Sequence, residues 1–149
     1  MAFVAWSLEA ASAALDQTCD KPGPVLISLQ ALQKKFGYIP IEAVALVAKA
    51  CNVSRAEVHG VLTFYHDLRT TPVPESLIRI CVAEACQAVG SRELVTELEA
   101  ALSVEMGSGS EKLELAPAFC FGNCALGPTA EVNGTLLGRA TCQSVVAQI

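Results

Sequence analysis

The chain has 149 residues, a length that suits one medium domain or a small domain with a helical appendage. It is 52% hydrophobic and only 17% charged, yet it has no run of eighteen apolar residues, which excludes a membrane-spanning helix. The formal net charge is −5, from 10 basic and 15 acidic residues without a basic run, which argues against nucleic acid as a partner.

The stretch Met1-Ala-Phe-Val-Ala-Trp6 lacks a charged n-region and a long apolar h-region, so it does not read as a signal peptide. A first helix is expected from Ser7 to about Gln17, with Ser7 as N-cap. Asp20-Lys-Pro-Gly-Pro24 is a linker. Val25, Leu29, Leu32 and Phe36 then recur at helical spacing, and Gly37 closes that helix. After Tyr38-Ile39-Pro40, a second apolar stripe runs through Ile41, Val44, Val47, Ala48 and Cys51. Ser54-Arg-Ala-Glu57 has the form of a capping box and opens a further short helix. Residues 1–70 therefore read as a helical bundle that ends around Tyr65, and Thr70-Thr-Pro-Val-Pro-Glu75 reads as a hinge.

Residues 71–149 alternate instead. Leu77–Val82 reads as a strand, and Arg92–Leu102 as a helix with Ser91 as its cap. Gly107-Ser-Gly-Ser110 reads as a flexible link, too short and wrongly flanked for a phosphate loop. A strand from about Leu113 to Phe119 follows. Ala130–Val132 and Thr135–Leu137 flank Asn133-Gly134, whose preference for positive φ marks a tight type I′ hairpin. Thr141 caps a last helix from Cys142 to about Gln148. The order β-α-β-β-β-α is the thioredoxin-like plan, and the class is α+β. By analogy with thioredoxins, the Gly127–Pro128 bond, just before the Ala130 strand, is expected to be cis.

Seven cysteines is an odd number, and nothing suggests export, so reduced thiols in a cytoplasmic compartment are expected. Four of them form two close pairs, Cys81-x₄-Cys86 and Cys120-x₃-Cys124, each just past a strand end, where open sheets place their sites. Two thiolate pairs suit a 2Fe–2S cluster, with both sulfurs of each short loop on the same iron. Gly122 and Asn123 tolerate the left-handed backbone region and let N–H groups turn toward sulfur; Glu84 adds a negative charge nearby. Zinc is the rival ligand. Unliganded thiols are the third reading. A C-x-x-C redox motif is absent. A Rieske centre needs two histidines, and His59 and His66 both lie in the helical half, where surface or packing roles are expected. Cys51 reads as a core residue, Cys19 as part of a polar linker, and Cys142 as a helix residue facing the core. No catalytic constellation or nucleotide motif is present. The apolar excess belongs either to an alanine- and valine-rich core or to a surface covered by a partner subunit.

The runs Phe36–Pro40, Ser54–Val58 and Gly60–Tyr65, together with the two cysteine pairs about 33 residues apart, resemble the thioredoxin-like 2Fe–2S subunits that stand beside the flavoprotein of respiratory complex I and its relatives. Within that family, Thr63–Arg69 and Cys81–Gln87 most resemble the gamma subunit of NAD-dependent formate dehydrogenases. The resemblance implies cluster ligands at Cys81, Cys86, Cys120 and Cys124. It also implies a beta subunit carrying FMN and the NADH site, and an alpha subunit that oxidises formate at molybdenum or tungsten. The parent would then be a cytoplasmic complex, and residues 1–70 would dock this chain onto the flavin-bearing partner. An equivalent subunit of complex I or of an NAD-linked hydrogenase, a zinc-stabilised assembly module and a free homodimeric ferredoxin are the alternatives.

Overall fold

The structure, a computed structural model, describes residues 3–149. Met1 and Ala2, which open the stretch read above as lacking a signal peptide, lie outside the described residues. The chain divides into two compact units that meet in sequence at Val73 and Pro74, each with its own buried apolar core.

The first unit holds α1 (Leu8–Leu15), α2 (Pro24–Phe36), α3 (Glu42–Ala50) and α4 (Arg55–Phe64). Caps set their limits. Ser7 Oγ accepts the Ala10 N–H at 3.2 Å at the head of α1. That helix stops earlier than its pattern suggests, because the Thr18 N–H and hydroxyl both donate to the Leu15 carbonyl and turn the chain. Gly37 ends α2 at φ 82°, with its N–H on the Gln33 carbonyl at 2.7 Å. A side chain at position 37 would also come within 2.7 Å of the Phe3 ring, so conformation and space both require glycine. Ser54 and Glu57 form the expected capping box: the Glu57 N–H donates to Ser54 Oγ at 3.2 Å, and the Ser54 N–H to the Glu57 carboxylate at 2.8 Å. The apolar stripes meet in a core that includes Leu29, Leu32, Phe36, Val47, Val58 and Leu62, with Trp6 edge-on to Phe36 at 4.9 Å. Gln33 ties down the segment after α4. Its amide donates to the Asp67 carbonyl at 2.7 Å and accepts the Arg69 N–H at 2.6 Å.

The second unit is a five-stranded sheet in the order β2-β3-β1-β4-β5. The strands are β1 (Ser76–Cys81), β2 (Ser108–Gly109), β3 (Leu113–Ala118), β4 (Ala130–Val132) and β5 (Thr135–Leu137). Only β1 and β3 are parallel; the other pairs are antiparallel. Three helices accompany them: α5 (Glu84–Gln87), α6 (Ser91–Leu102) and α7 (Cys142–Val146). Alternation along β1 sends Ile78 and Ile80 to one face, where they share a core with Leu94 and Leu98 of α6 and Val145 of α7. Arg79 takes the opposite side and pairs with Glu131 across the β1–β4 ladder at 2.7 Å.

The hairpin has the expected turn, with Asn133 at φ 51° and Gly134 at φ 85°. The Gly127–Pro128 bond is cis, as expected. Three local readings need correction. Ser91 is not the cap of α6: Gly90 holds that place at φ 100°, and the buried Ser91 hydroxyl donates to the Cys81 carbonyl at the end of β1. The Gly107–Ser110 link contains an edge strand, β2, because the small Gly109 lets the backbone close on β3; a Cβ there would stand 2.6 Å from the Leu113 carbonyl oxygen. The loop between Cys81 and Cys86 is partly helical, since the Gln87 and Ala88 N–H groups bond back to Ala83 and Glu84.

Candidate metal centre

Because β1 and β3 run parallel, their C-terminal ends share one edge of the sheet. Cys81 closes β1, and Cys120 lies just past Ala118, the end of β3. The Val82 N–H donates to the Ala118 carbonyl at 2.8 Å and carries the pairing beyond Cys81. The chain enters antiparallel β4 from the same edge, where the Cys81 N–H donates to the Thr129 carbonyl at 2.9 Å. Cys86 rides on α5, and Cys124 opens a 3₁₀ turn, Cys124–Leu126. The four cysteines of the two pairs therefore come together at one end of the sheet.

Their environments differ. Cys81 and Cys86 are each 1% exposed, whereas Cys120 and Cys124 are open to solvent. Cys120 Sγ stands 3.8 Å from Cys124 Sγ, and the Cys86 thiol hydrogen-bonds Cys81. The pairs also sense each other. Burial pushes the Cys81 thiol up, while the Ala83 N–H pulls it down, Cys86 raises it further, and the Phe121 N–H of the second loop lowers it. Cys124 is raised by its hydrogen bond to Cys120 first, and a charge on Cys81 adds to the effect. Gly127 lies between the pairs: a Cβ there would stand 3.3 Å from Cys86 Sγ and 3.5 Å from the Cys124 carbonyl oxygen.

Backbone donors face the sulfurs. The Gly122 N–H donates to Cys120 Sγ at 3.2 Å, with Gly122 at φ 74°. The loop departs from expectation at Asn123, which sits at φ −102° and is not left-handed. The positive φ falls on Cys120 instead, at 147°, a sparsely populated region for a residue with a side chain. The Asn123 amide donates to Thr129 Oγ1 at 3.4 Å and so fastens the loop to the start of β4. Glu84 is exposed in the first turn of α5.

Several supporting residues escape sequence reasoning. The Arg79 guanidinium lies 5.5 Å from the centre of the Phe121 ring, inside the second cysteine loop, while Glu131 holds its other side. Ser91 and Thr129 pin the end of β1 from two sides. The only sequence signal was alternation, which turns Arg79 away from Ile78 and Ile80; its partner in a distant loop was not legible. The spare cysteines lie elsewhere. Cys142 is half-buried against the second core, and Cys19 and Cys51 belong to the first unit. His59 and His66 are exposed on the first unit.

Among the described residues, no three His, Cys, Asp or Glu side chains gather as ligands of one ion. A binuclear cluster needs two donor pairs, one for each iron, and pairs are what the sheet edge presents.

A family model described as thioredoxin-like [2Fe-2S] ferredoxin matches residues 11–149. The chain belongs to this family. The E subunit of NADH-quinone oxidoreductase from Buchnera aphidicola subsp. Acyrthosiphon pisum (strain APS) is 32% identical over 124 residues, which cover 80% of this chain and 76% of that protein. The HndA subunit of the NADP-reducing hydrogenase of Solidesulfovibrio fructosivorans is 30% identical over 123 residues, covering 81% of this chain and 72% of that one. The crystal structure of an air-oxidised NAD+-reducing [NiFe]-hydrogenase superposes with a TM-score of 0.71 over 89% of this chain, at 22% identity, and shares its fold. This ferredoxin-family chain spans 23% of the matched hydrogenase chain. The cofactor of the family is a 2Fe–2S cluster, and the paired thiols fit it.

Proposed function

We propose that Cys81, Cys86, Cys120 and Cys124 hold the cluster, with the two sulfurs of each pair on one iron, and that the chain carries electrons beside the flavin of an NAD-linked oxidoreductase. The observation that carries this reading is the convergence of the two thiol pairs at the shared end of β1 and β3. When bound, the cluster takes up and gives back one electron at a time. The chain's own residues hold and tune it. The Ala83, Phe121 and Gly122 N–H groups donate to sulfur and favour the thiolate forms that iron requires. Burial keeps water from one pair and exposure leaves the other open to a partner. No residue of this chain is assigned a catalytic role.

The parent complex is proposed to be a cytoplasmic NAD-dependent formate dehydrogenase, on the strength of the Thr63–Arg69 and Cys81–Gln87 runs. Its beta subunit would carry FMN and bind NADH, and its alpha subunit would oxidise formate at molybdenum or tungsten. Residues 1–70 would dock onto the beta subunit; Ile41, Phe64 and Tyr65 are large apolar residues left exposed there. Among the described residues, no helix is long and apolar enough to cross a membrane. The relatives named above favour a second reading, a subunit of complex I or of an NAD(P)-linked hydrogenase.

Affinity purification of the tagged chain from its native host distinguishes these parents. A co-purifying molybdopterin subunit supports formate dehydrogenase; a hydrogenase subunit or the quinone-reducing arm of complex I replaces it. Iron and sulfide analysis of the isolated chain tests the cofactor, with two of each expected and a colourless zinc protein as the contrary result.

A further inference from the structure

Two cysteines that sequence reasoning treated separately meet in the helical unit. Cys19, in the turn after α1, places its Sγ 3.4 Å from Sγ of Cys51, the residue that caps the C-terminus of α3. Both thiols are half-buried and both are free. A buried hydroxyl pair lies behind them. Ser28 Oγ stands 3.6 Å from Cys51 Sγ and 3.9 Å from Cys19 Sγ, and 2.8 Å from Thr18 Oγ1. Thr18 donates to the Leu15 carbonyl, so the Ser28 proton remains to be given either to Thr18 or to sulfur. The cluster places a polar donor where a thiolate would form, beside a second sulfur within reach of it.

We propose that Cys19 and Cys51 are a thiol–disulfide exchange site that reversibly cross-links the helical unit in the presence of a low-molecular-weight disulfide. A disulfide needs about 2.05 Å between its sulfurs, so the pair must close by roughly 1.4 Å, a displacement that side-chain rotation can supply. One cysteine, as thiolate, attacks the small disulfide, forms a mixed disulfide and releases one small thiol. The other, as thiolate, attacks the protein sulfur of that mixed disulfide and releases the second small thiol. Two protein thiols are oxidised, one external disulfide is reduced to two thiols, and the two protons leave with them. Burial raises the Cys51 thiol and the Ser28 hydroxyl bond lowers it, so Ser28 eases the formation of the reacting species without abolishing the penalty. The cross-link would join the turn after α1 to the end of α3 and enclose α2 and α3 in a closed loop. That removes freedom from the unfolded chain and raises the melting temperature.

The test uses the intact, cluster-bearing protein under anaerobic conditions with excess oxidised glutathione, followed by alkylation, digestion and mass spectrometry. The expected result is a Cys19–Cys51 linked peptide, the loss of two alkylatable thiols, unchanged cluster absorbance, and a rise in Tm that dithiothreitol reverses. Cys19→Ser and Cys51→Ser should each abolish the linked peptide and the Tm rise, while Cys142→Ser keeps both. The proposal is overturned if both native cysteines remain alkylatable, if each carries a separate glutathione, or if the Tm rise persists in Cys51→Ser. Should a serine variant fail to fold, the peptide map of the native chain decides alone.

Discussion

Cys81 and Cys86 are buried while Cys120 and Cys124 face solvent, yet each pair is proposed to supply half of one cluster. Each iron needs its full set of sulfurs, so Ala at any of these four positions should strip the cluster, read as lost visible absorbance and lost iron. Cys51→Ala should keep both, since Cys51 belongs to the other unit. Loss of iron from the Cys51 variant with retention in Cys86→Ala would reverse the assignment. Arg79 makes a subtler contribution, because it holds the Phe121 ring of the second loop and pairs with Glu131. A cation–π contact of this kind contributes about 1 kcal/mol, and the partly exposed ion pair adds little. Arg79→Met should therefore lose its cluster several-fold faster to an iron chelator. Glu131→Gln should do so less. Equal loss rates in Arg79→Met and the native chain would remove Arg79 from the site's support.

At the scale of elements, caps decide where the helices begin and end. The Ser54–Glu57 box closes the head of α4, and Ser54→Ala should cost about 1 kcal/mol in a chemical unfolding titration. The Ser54 N–H and then its hydroxyl hold the Glu57 carboxyl below the usual carboxylate range. A lowered folded value means that this stabilisation is complete above the unfolded carboxyl pKa and is lost as pH falls through the folded one. Glu57→Gln should flatten that part of the acid limb of stability against pH, measured by unfolding at a series of pH values. Matching acid limbs in the two proteins would show that the box makes no ionised contribution. The strands show a different dependence. β1 holds Cys81 in place because β3 and β4 flank it on both sides, so the cysteine's position is set by a ladder rather than by its own loop.

At the scale of the molecule, the two cores are separate in sequence and in composition: one gathers residues from Ala11 to Leu68, the other from Ile78 to Val145. A chain beginning at Thr71 contains every residue of the second core and all four proposed ligands. It should keep its cluster and lose its affinity for the flavin-bearing partner, checked by absorbance and by pull-down of that subunit. Full binding by the truncated chain, or its inability to hold a cluster, would return residues 1–70 to a purely stabilising role.

Much of this protein was legible before folding was considered. Apolar spacing marked α2 and α3, the Ser54–Glu57 box marked α4, and Asn133-Gly134 marked the β4–β5 hairpin, because helical periodicity, capping and positive φ are local properties of a few adjacent residues. The two cysteine spacings likewise pointed to paired thiolate ligation. Other features depend on partners distant in sequence. The Cys19–Cys51 contact, the Arg79–Phe121 stacking, the edge strand β2 and the diversion of Ser91 from capping to the Cys81 carbonyl each join residues that no short window contains. The sequence by itself determined which residues could cap, turn and carry thiolate chemistry. Only the tertiary structure decided that Cys19 meets Cys51 and which of the seven cysteines are buried, since proximity and burial follow from strand order and core packing.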